Sequence, residues 1–463
     1  METPGIERIP EEIPTGSGLD WERLKQRVGS IEPIKQNGRV VQVIGLVIES
    51  QGPAGSVGEL CYLSSGGGAA SVPAEIVGFK EGRVLLMPLG EMHGIHPGSE
   101  VIATGGPPRV GVGEELLGRV LNGFGQPIDG GKALHLAKSK TVNNVPPHPL
   151  QRKRITKPLP TGVRAMDAVL TCGCGQRVGI FSGSGVGKSI LLGMVARYTA
   201  ADVNVIALIG ERGREVREFV ERDLGALGLK RSVVVVVTSD QPALVRLQGA
   251  MVAITLAESF RDQGMDVLFM MDSLTRFALA QREVGLAIGE PPTTRGYTPS
   301  VFALLPRFLE RAGTTGHQGS ITGLYTVLVE QDDMNDPIAD ASRAVLDGHI
   351  VLSRTLAERN HYPPIDVLQS ISRLRVDLVI PEHLQAAQRL QEVLATYRQA
   401  EDLVNIGAYQ KGSNPRIDDA LARVDGINRF LMQDRDEEAD YEKVRDDLLE
   451  LMGESGGESV SAS

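Results

Sequence analysis

The stretch Phe181-Ser-Gly-Ser-Gly-Val-Gly-Lys188-Ser189 decides the fold. It follows the apolar run RVGI and precedes the helix-like ILLGMVARY, so it reads as strand, loop and helix in succession. Gly183, Gly185 and Gly187, with Ser184 and Val186 between them, let successive backbone N–H groups turn inward around phosphate oxygens. The helix N-terminus at Lys188, Ser189 and Ile190 adds its dipole. Lys188 supplies a point charge to β- and γ-phosphates, and the Ser189 hydroxyl is placed to ligate Mg²⁺. One position departs from the strict pattern: Ser182 stands where a glycine is usual, five residues before Gly187. The strand–loop–helix setting outweighs that departure, so this is a phosphate loop rather than a glycine-rich turn with an incidental lysine.

Outward from the loop the chain alternates. VNVIALIG, SVVVVVTS, DVLFMMD and SITGLYTVLVE are apolar runs suited to strands buried on both faces. Longer amphipathic stretches, GREVREFVERDLGAL and PALVRLQGAMVAITLAESFRD among them, lie between most of these runs. This alternation predicts a doubly wound α/β domain with a mainly parallel sheet over 157–380. Before it, GRVVQVIGLVIES, GELCYL, VPAEIVGF and GRVLLMPL are short β-branched runs punctuated by turns, with Gly66 to Gly68 as a flexible turn. They predict a small β-barrel or sandwich over 37–105. Residues 106–156 read as a connecting region, and their QRKR cluster (151–154) as solvated linker in preference to a phosphate site. Residues 381–452 lack strand signals and carry three stretches with helical spacing, which predicts a small α-helical domain. In residues 1–36 the pattern of LDWERLKQRV predicts one short amphipathic helix in a Pro- and Glu-rich setting, and 453–463 have the composition of a disordered tail.

The 463 residues carry 48 Lys plus Arg against 58 Asp plus Glu, a net charge of −10. That balance opposes nucleic acid or an anionic membrane as a whole-surface partner. Aromatics at 4% leave little material for base stacking. Cys61, Cys172 and Cys174 are too few for a disulfide framework, which points to a reducing compartment. Cys172 and Cys174 have no second pair to complete a zinc site, and read as small residues before a buried strand. The acidic N-terminus has no apolar core of a secretory signal, and the longest aliphatic run, Val233 to Val237, is far short of a spanning helix. A cytoplasmic location is expected.

Two further elements carry chemistry. Val267-Leu-Phe-Met-Met-Asp272 is a strand ending in a carboxylate, which suits Asp272 to a hydrated Mg²⁺. In Leu208-Ile-Gly-Glu211-Arg212-Gly-Arg-Glu215 another strand ends in Glu211. Ligands of open α/β sheets sit beyond the carboxyl ends of the strands, so Glu211 lies where a carboxylate polarises attacking water. The competing reading is a charged helix start, favourable near a helix dipole.

FSGSGVGKS, IGERGREV, MMDSLTRFA, PPTTRGYTPSVFALLPRFLERAG, DDMNDPIADASRAVLDGHIVLSR, NHYPPIDVLQSISR and GAYQKGSNPRIDDAL occur together and in this order. The chain thereby resembles the flagellar and type III secretion export ATPases, relatives of the catalytic and non-catalytic subunits of rotary ATP synthases. The likeness covers nearly all of 38–450 and leans to the flagellar branch. It implies an N-terminal β-barrel, a RecA-like P-loop domain and a C-terminal helical domain, assembled as a homohexamer with ATP and Mg²⁺ at subunit interfaces. It makes Glu211 the catalytic carboxylate, with Arg212 and Glu215 helping to bind the γ-phosphate and the hydrated Mg²⁺. It makes Arg373 an arginine finger inserted from a neighbouring subunit, and Tyr362 an aromatic packing on adenine. It further implies a stator-like regulatory protein at residues 1–36, where Trp21 and Leu24 are candidate anchors. A coiled-coil stalk in the pore, an export-gate membrane protein and export substrates with their chaperones complete the expected partners, with peripheral attachment to the inner membrane and no nucleic acid. An injectisome ATPase is the alternative, and a rotary ATP synthase-type subunit a more distant one. Gln331, where the family often has Gly, and Cys174, where it commonly has a basic residue, are departures away from the phosphate positions.

Overall fold

The computed structural model describes residues 37–64, 71–329 and 333–453. The expectations for 1–36, for the Gly66–Gly68 turn, for Gln331 and for the tail beyond Gly453 fall outside them.

Six strands close into a barrel: β1 (Gly38–Ile44), β2 (Val47–Gln51), β3 (Leu60–Ser64), β4 (Val72–Lys80), β5 (Arg83–Pro88) and β6 (Glu100–Ala103), in spatial order β1-β2-β5-β4-β3-β6. Alternate residues point inward, and Ile48, Leu63, Ile76, Leu86 and Val101 fill the interior. Of the two all-β alternatives, the barrel is the one formed. Beyond it, β7 (Arg109–Val112) pairs antiparallel with β9 (Lys138–Thr141). Between them β8 (Val120–Leu121) joins the central sheet as an edge strand, so the stretch expected only to connect also builds sheet. Arg152 of the QRKR cluster lies 2.9 Å from Glu310 and donates to the Ala312 carbonyl, a structural tie and no phosphate site.

Among the described residues the central sheet has nine strands. β10 (Arg177–Ser182), β11 (Val203–Glu211), β12 (Ser232–Thr238), β13 (Asp266–Asp272), β15 (Ser320–Leu328) and β16 (Gly348–Leu352) run parallel with β8 in the order β16-β10-β15-β13-β11-β12-β8. β14 (Gly313–Thr314) and β17 (Ile371–Ser372) add antiparallel pairs to β15 and β16. The five predicted apolar strands are all present; β16, GHIVL, is a sixth that the apolar pattern left unassigned. Residue parity sorts the two faces. Val205, Ala207, Val235, Phe269 and Val327 face one core. Ile206, Leu208, Val234, Leu268 and Leu324 face the other. This is why runs such as SVVVVVT carry no polar alternation.

Helices α1 (Arg164–Val169), α2 (Lys188–Tyr198), α3 (Gly213–Glu218), α4 (Ala243–Arg261), α5 (Leu274–Ala287) and α6 (Pro299–Leu309) cover the faces. The single helix expected over GREVREFVERDLGAL is broken: after α3 a wider turn at Phe219–Leu224 leads to Gly225, at φ +62°, and a new helix. Glycines 225 and 228 favour that break. α4 has the length and apolarity of a membrane span, but 89% of that stretch is buried inside the fold. Three helices, α7 (Pro381–Asn405), α8 (Pro415–Leu431) and α9 (Tyr441–Met452), form the C-terminal domain at the predicted places. Prolines open α7 and α8, and the Asn414 and Asp440 side chains cap α8 and α9. Ala387, Leu390, Ile427 and Leu448 join the core shared with α1. Cys172 and Cys174 are buried beside β10, which pushes their thiols up to about 12 and about 11 and leaves them protonated.

Candidate functional site

The carboxyl ends of β10, β15, β13 and β11 converge on one place. β10 ends at Ser182, in register with Leu328 of β15 and Leu352 of β16. The chain then turns through Gly183 to Gly187. Gly185 has φ +76° and Gly187 φ +103°, left-handed conformations that cost a side-chain-bearing residue but not glycine. Gly187 caps α2, so Lys188, Ser189 and Ile190 form its first turn. Ser182 fits at the glycine position because it ends a strand: it is buried, and its hydroxyl makes no hydrogen bond among the described residues.

Lys188 and Asp272 meet across the end of β15. Lys188 Nζ donates to Asp272 Oδ1 at 2.5 Å, and the hydroxyl of Thr326, on β15 itself, donates to the same oxygen at 2.7 Å. Ser189 offers a hydroxyl and Asp272 a carboxylate, both hard oxygen donors of the kind Mg²⁺ prefers.

Glu211 ends β11, the neighbour of β13. Only 8% of it is exposed. Ile209 pairs with Val237 and Glu211 with Thr238, so Gly210 is the extra residue of a bulge that re-aims Glu211. At φ +74°, with Arg276 Cβ 3.0 Å from where its own Cβ would sit, position 210 requires glycine. Arg276, in the first turn of α5, thereby lies against β11 with Nε 3.7 Å from Glu211 Oε1. Both atoms are buried and make no hydrogen bond among the described residues. Burial, then the charge of Asp272, pushes the Glu211 carboxyl up to about 7, against the pull of Lys188 and Arg276. A buried carboxylate oxygen beside a phosphate loop, ion-paired to Arg276 but with no hydrogen bond among the described residues, can receive a proton from water.

Arg212 and Glu215 follow on α3, where Arg212 is exposed and pairs with Glu215 at 3.3 Å. Tyr362 lies on the opposite side of the loop, its ring 3.6 Å from where a Gly187 side chain would begin. A cavity of about 230 Å³ opens there, lined by Gly187, Ile190, Met194, Tyr362, Pro364 and Arg435. The cavity lies beside the phosphate loop, walled by apolar side chains on one part and by Gln433, Asp434 and Arg435 on another. Arg373 is elsewhere. It follows β17, which pairs with β16 at Gly348 and His349. Gly348 is in register with Val178, so this is the amino end of the sheet, roughly 13 Å along β10 from Ser182. Arg373 is exposed there, with Nη2 3.2 Å from the Arg343 carbonyl. The structure thus gathers residues 183–190, Glu211, Asp272 and Tyr362, and holds Arg373 away from its own chain's loop.

Three contributors escaped sequence reading. Arg276 was legible in principle, four residues after Asp272 on the first turn of a helix leaving the site. Thr326 and the Gln433–Arg435 wall of the cavity at Tyr362 carry no local signal.

Comparison with known proteins agrees with this architecture. The family model for the ATP synthase alpha/beta family nucleotide-binding domain matches residues 162–372. The beta-barrel domain of that family matches 40–105, and the T3SS EscN ATPase C-terminal domain matches 379–450. The flagellum-specific ATP synthase of Bacillus subtilis is 54% identical over 420 residues, covering 90% of this chain and 96% of that one. The chain belongs to the family of flagellar and type III secretion ATPases. Another member, the type 3 secretion system ATPase of Xanthomonas euvesicatoria, is 50% identical over 93% of this chain and 96% of its own. Among solved members, the assembled ATPase EscN with its central stalk EscO, from enteropathogenic E. coli, superposes with a TM-score of 0.83. It is 44% identical, over 90% of this chain and all of that one. The expected three-part architecture of this family is the one observed, and its nucleotide-binding domain holds the site described above.

Proposed function

We propose that this chain hydrolyses Mg-ATP as a ring of six copies and that the ring energises flagellar protein export. The observation that carries the reading is Glu211: a buried carboxylate beside Arg276, one oxygen of which makes no hydrogen bond among the described residues, grouped with Lys188 and Asp272 at the carboxyl end of a parallel sheet. A non-catalytic ring subunit has no use for that arrangement.

The chemistry follows from the chain's own groups. The backbone N–H groups of 183–190 and the α2 dipole hold the phosphates, and Lys188 moves from Asp272 to the β- and γ-oxygens. Tyr362 and Ile190 hold the base. Glu211, when ionised, orients water at the γ-phosphorus and accepts its proton, and a pKa near 7 suits that task. Ser189 and Asp272, with Glu215 through water, would hold Mg²⁺, which when bound screens the phosphate charge. Arg212 and Arg276 add positive charge at the γ-phosphate. Arg373, displaced from its own loop, serves the loop of a neighbouring copy as the planar guanidinium finger. That division makes the active site incomplete in one chain. The proposed units are 37–105 (barrel), 106–156 (connection), 157–380 (ATPase) and 381–452 (helical domain), with 1–36 as the regulatory segment and 453–463 as a tail. The stalk seen with EscN supports a coiled-coil partner in the pore. The remaining proposed partners are a stator-like protein, an export gate, and substrates with their chaperones, at the cytoplasmic face of the inner membrane.

Turnover per subunit, measured against concentration of the purified chain, tests this. A steep rise is expected as copies complete one another's sites. Turnover that is concentration-independent, or absent while ATP still binds, removes the shared site.

A further inference from the structure

Asp272 must keep one orientation while its neighbour Lys188 moves. Its Oδ1 accepts two hydrogen bonds, from Lys188 Nζ at 2.5 Å and from Thr326 Oγ1 at 2.7 Å. Its Oδ2 has no hydrogen-bond partner among the described residues. The two donors differ in kind. Lys188 reaches Asp272 on a flexible four-carbon stem from the first turn of α2. Thr326 is β-branched and stands on a strand, so its χ1, and with it the direction of its hydroxyl oxygen, is restricted.

The surroundings of Thr326 give its hydroxyl a single use. β15, SITGLYTVL, is buried along nearly its whole length. Thr326 is in register with Ile180 of β10 and follows the pair Tyr325 and Met271. It shares the face of Ile180, Met270 and Leu324 and is fully buried. Valine has nearly the same shape and suits such a face without a polar atom. A buried hydroxyl costs desolvation unless it is hydrogen-bonded, and the bond Thr326 donates goes to Asp272. Its mount is firm as well. Two residues on, the Leu328 N–H donates to Thr275 Oγ1 at 2.9 Å, which ties the end of β15 to α5, the helix that follows Asp272.

We propose that Thr326 is the positioning residue for Asp272: its hydroxyl holds Oδ1 after Lys188 has left for the phosphates, and so keeps Oδ2 available to hydrated Mg²⁺. This rests on the ATPase reading above. Without that hydroxyl, the departure of Lys188 leaves the carboxylate with no hydrogen bond among the described residues. The terminal torsion of an aspartate is broad, so its own rotamer preference does not fix the carboxylate plane. The hydroxyl therefore supports metal affinity rather than phosphate binding.

The test uses the full chain with Thr326→Val, which keeps the shape and removes the hydroxyl, and Thr326→Ser, which keeps the hydroxyl. Mn²⁺ is titrated into the complex with a non-hydrolysable ATP analogue and followed by electron paramagnetic resonance. Affinity for the analogue alone is measured in EDTA. Thr326→Val should weaken Mn²⁺ binding about 10-fold and leave analogue affinity in EDTA within about twofold of wild type. Thr326→Ser should hold Mn²⁺ within about threefold of wild type. Thr326→Ala is a second hydroxyl-free variant, of which the same contrast with Thr326→Ser is expected if Thr326→Val does not fold. Unchanged Mn²⁺ affinity in the hydroxyl-free chains overturns the positioning role. So does an equal loss of analogue affinity with and without metal, which marks a packing defect, and so does a Thr326→Ser chain as impaired as Thr326→Val. A wild-type chain that binds the analogue but no Mn²⁺ with it overturns the Mg-ATP reading and the positioning role together.

Discussion

Replacing Glu211 by Gln separates catalysis from stability. The side chain keeps its shape and loses its charge. Folded Glu211 holds its proton with a pKa near 7, against 4.5 for an ordinary glutamate, because burial and Asp272 disfavour the anion. The folded chain thus binds that proton more tightly than the unfolded one. This contribution favours folding fully below pH 4.5 and is lost as the pH rises through about 7. Above that, the ionised carboxylate costs about 3 kcal/mol. Glu211→Gln has no anion to bury. At pH 8 the nucleotide-free variant should therefore be more stable than wild type by up to about 3 kcal/mol, which raises the central domain's melting temperature by several degrees. At pH 5 the difference should shrink to about 1 kcal/mol. Turnover should fall about 10²- to 10⁴-fold while ATP binding persists, since the proton acceptor is gone and the phosphate contacts are not. The assays are thermal melts at both pH values, equilibrium ATP binding and steady-state hydrolysis. Near-normal turnover would falsify the catalytic role. Equal stabilisation at pH 5 and pH 8 would refute the burial cost.

Other substitutions probe the rest of the site. Lys188→Ala removes a charged hydrogen bond to phosphate, so equilibrium ATP binding should weaken about 10- to 100-fold, with turnover lost; unaltered affinity would contradict the phosphate role. Tyr362→Ala should raise KM for ATP about 5- to 100-fold with little change in kcat, and Tyr362→Phe should behave as wild type if the ring only stacks. Arg373→Ala should be inactive alone and regain activity when mixed with Lys188→Ala chains, because some interfaces then combine an intact half from each. No recovery in rings shown to be mixed would place Arg373 outside the shared site.

Much of this was readable one-dimensionally. Continuous apolar runs announced β10, β11, β12, β13 and β15, and helical spacing announced α7, α8 and α9, because burial on two faces or one leaves a direct periodic trace. β16 left a weaker trace: GHIVL is short and opens with Gly348 and His349. The break after α3 turned on Gly225 adopting a left-handed backbone, which an amphipathic pattern does not encode.

The phosphate loop, the carboxylates ending β11 and β13, and the order of barrel, sheet and helical domain were legible along the chain. Each depends on neighbours in the chain: glycines that free the backbone, apolar runs that demand burial, caps that start helices. Which side chains meet depends on how the elements pack. Strand order set β15 between β10 and β13, so Lys188 and Asp272, 84 positions apart, meet beside Thr326. The bulge at Gly210 turned Glu211 toward Arg276, and the pairing of β17 with the amino end of β16 carried Arg373 away from its own loop. Local patterns specify which element forms; the approach of side chains from separate strands is set by how those elements share a core.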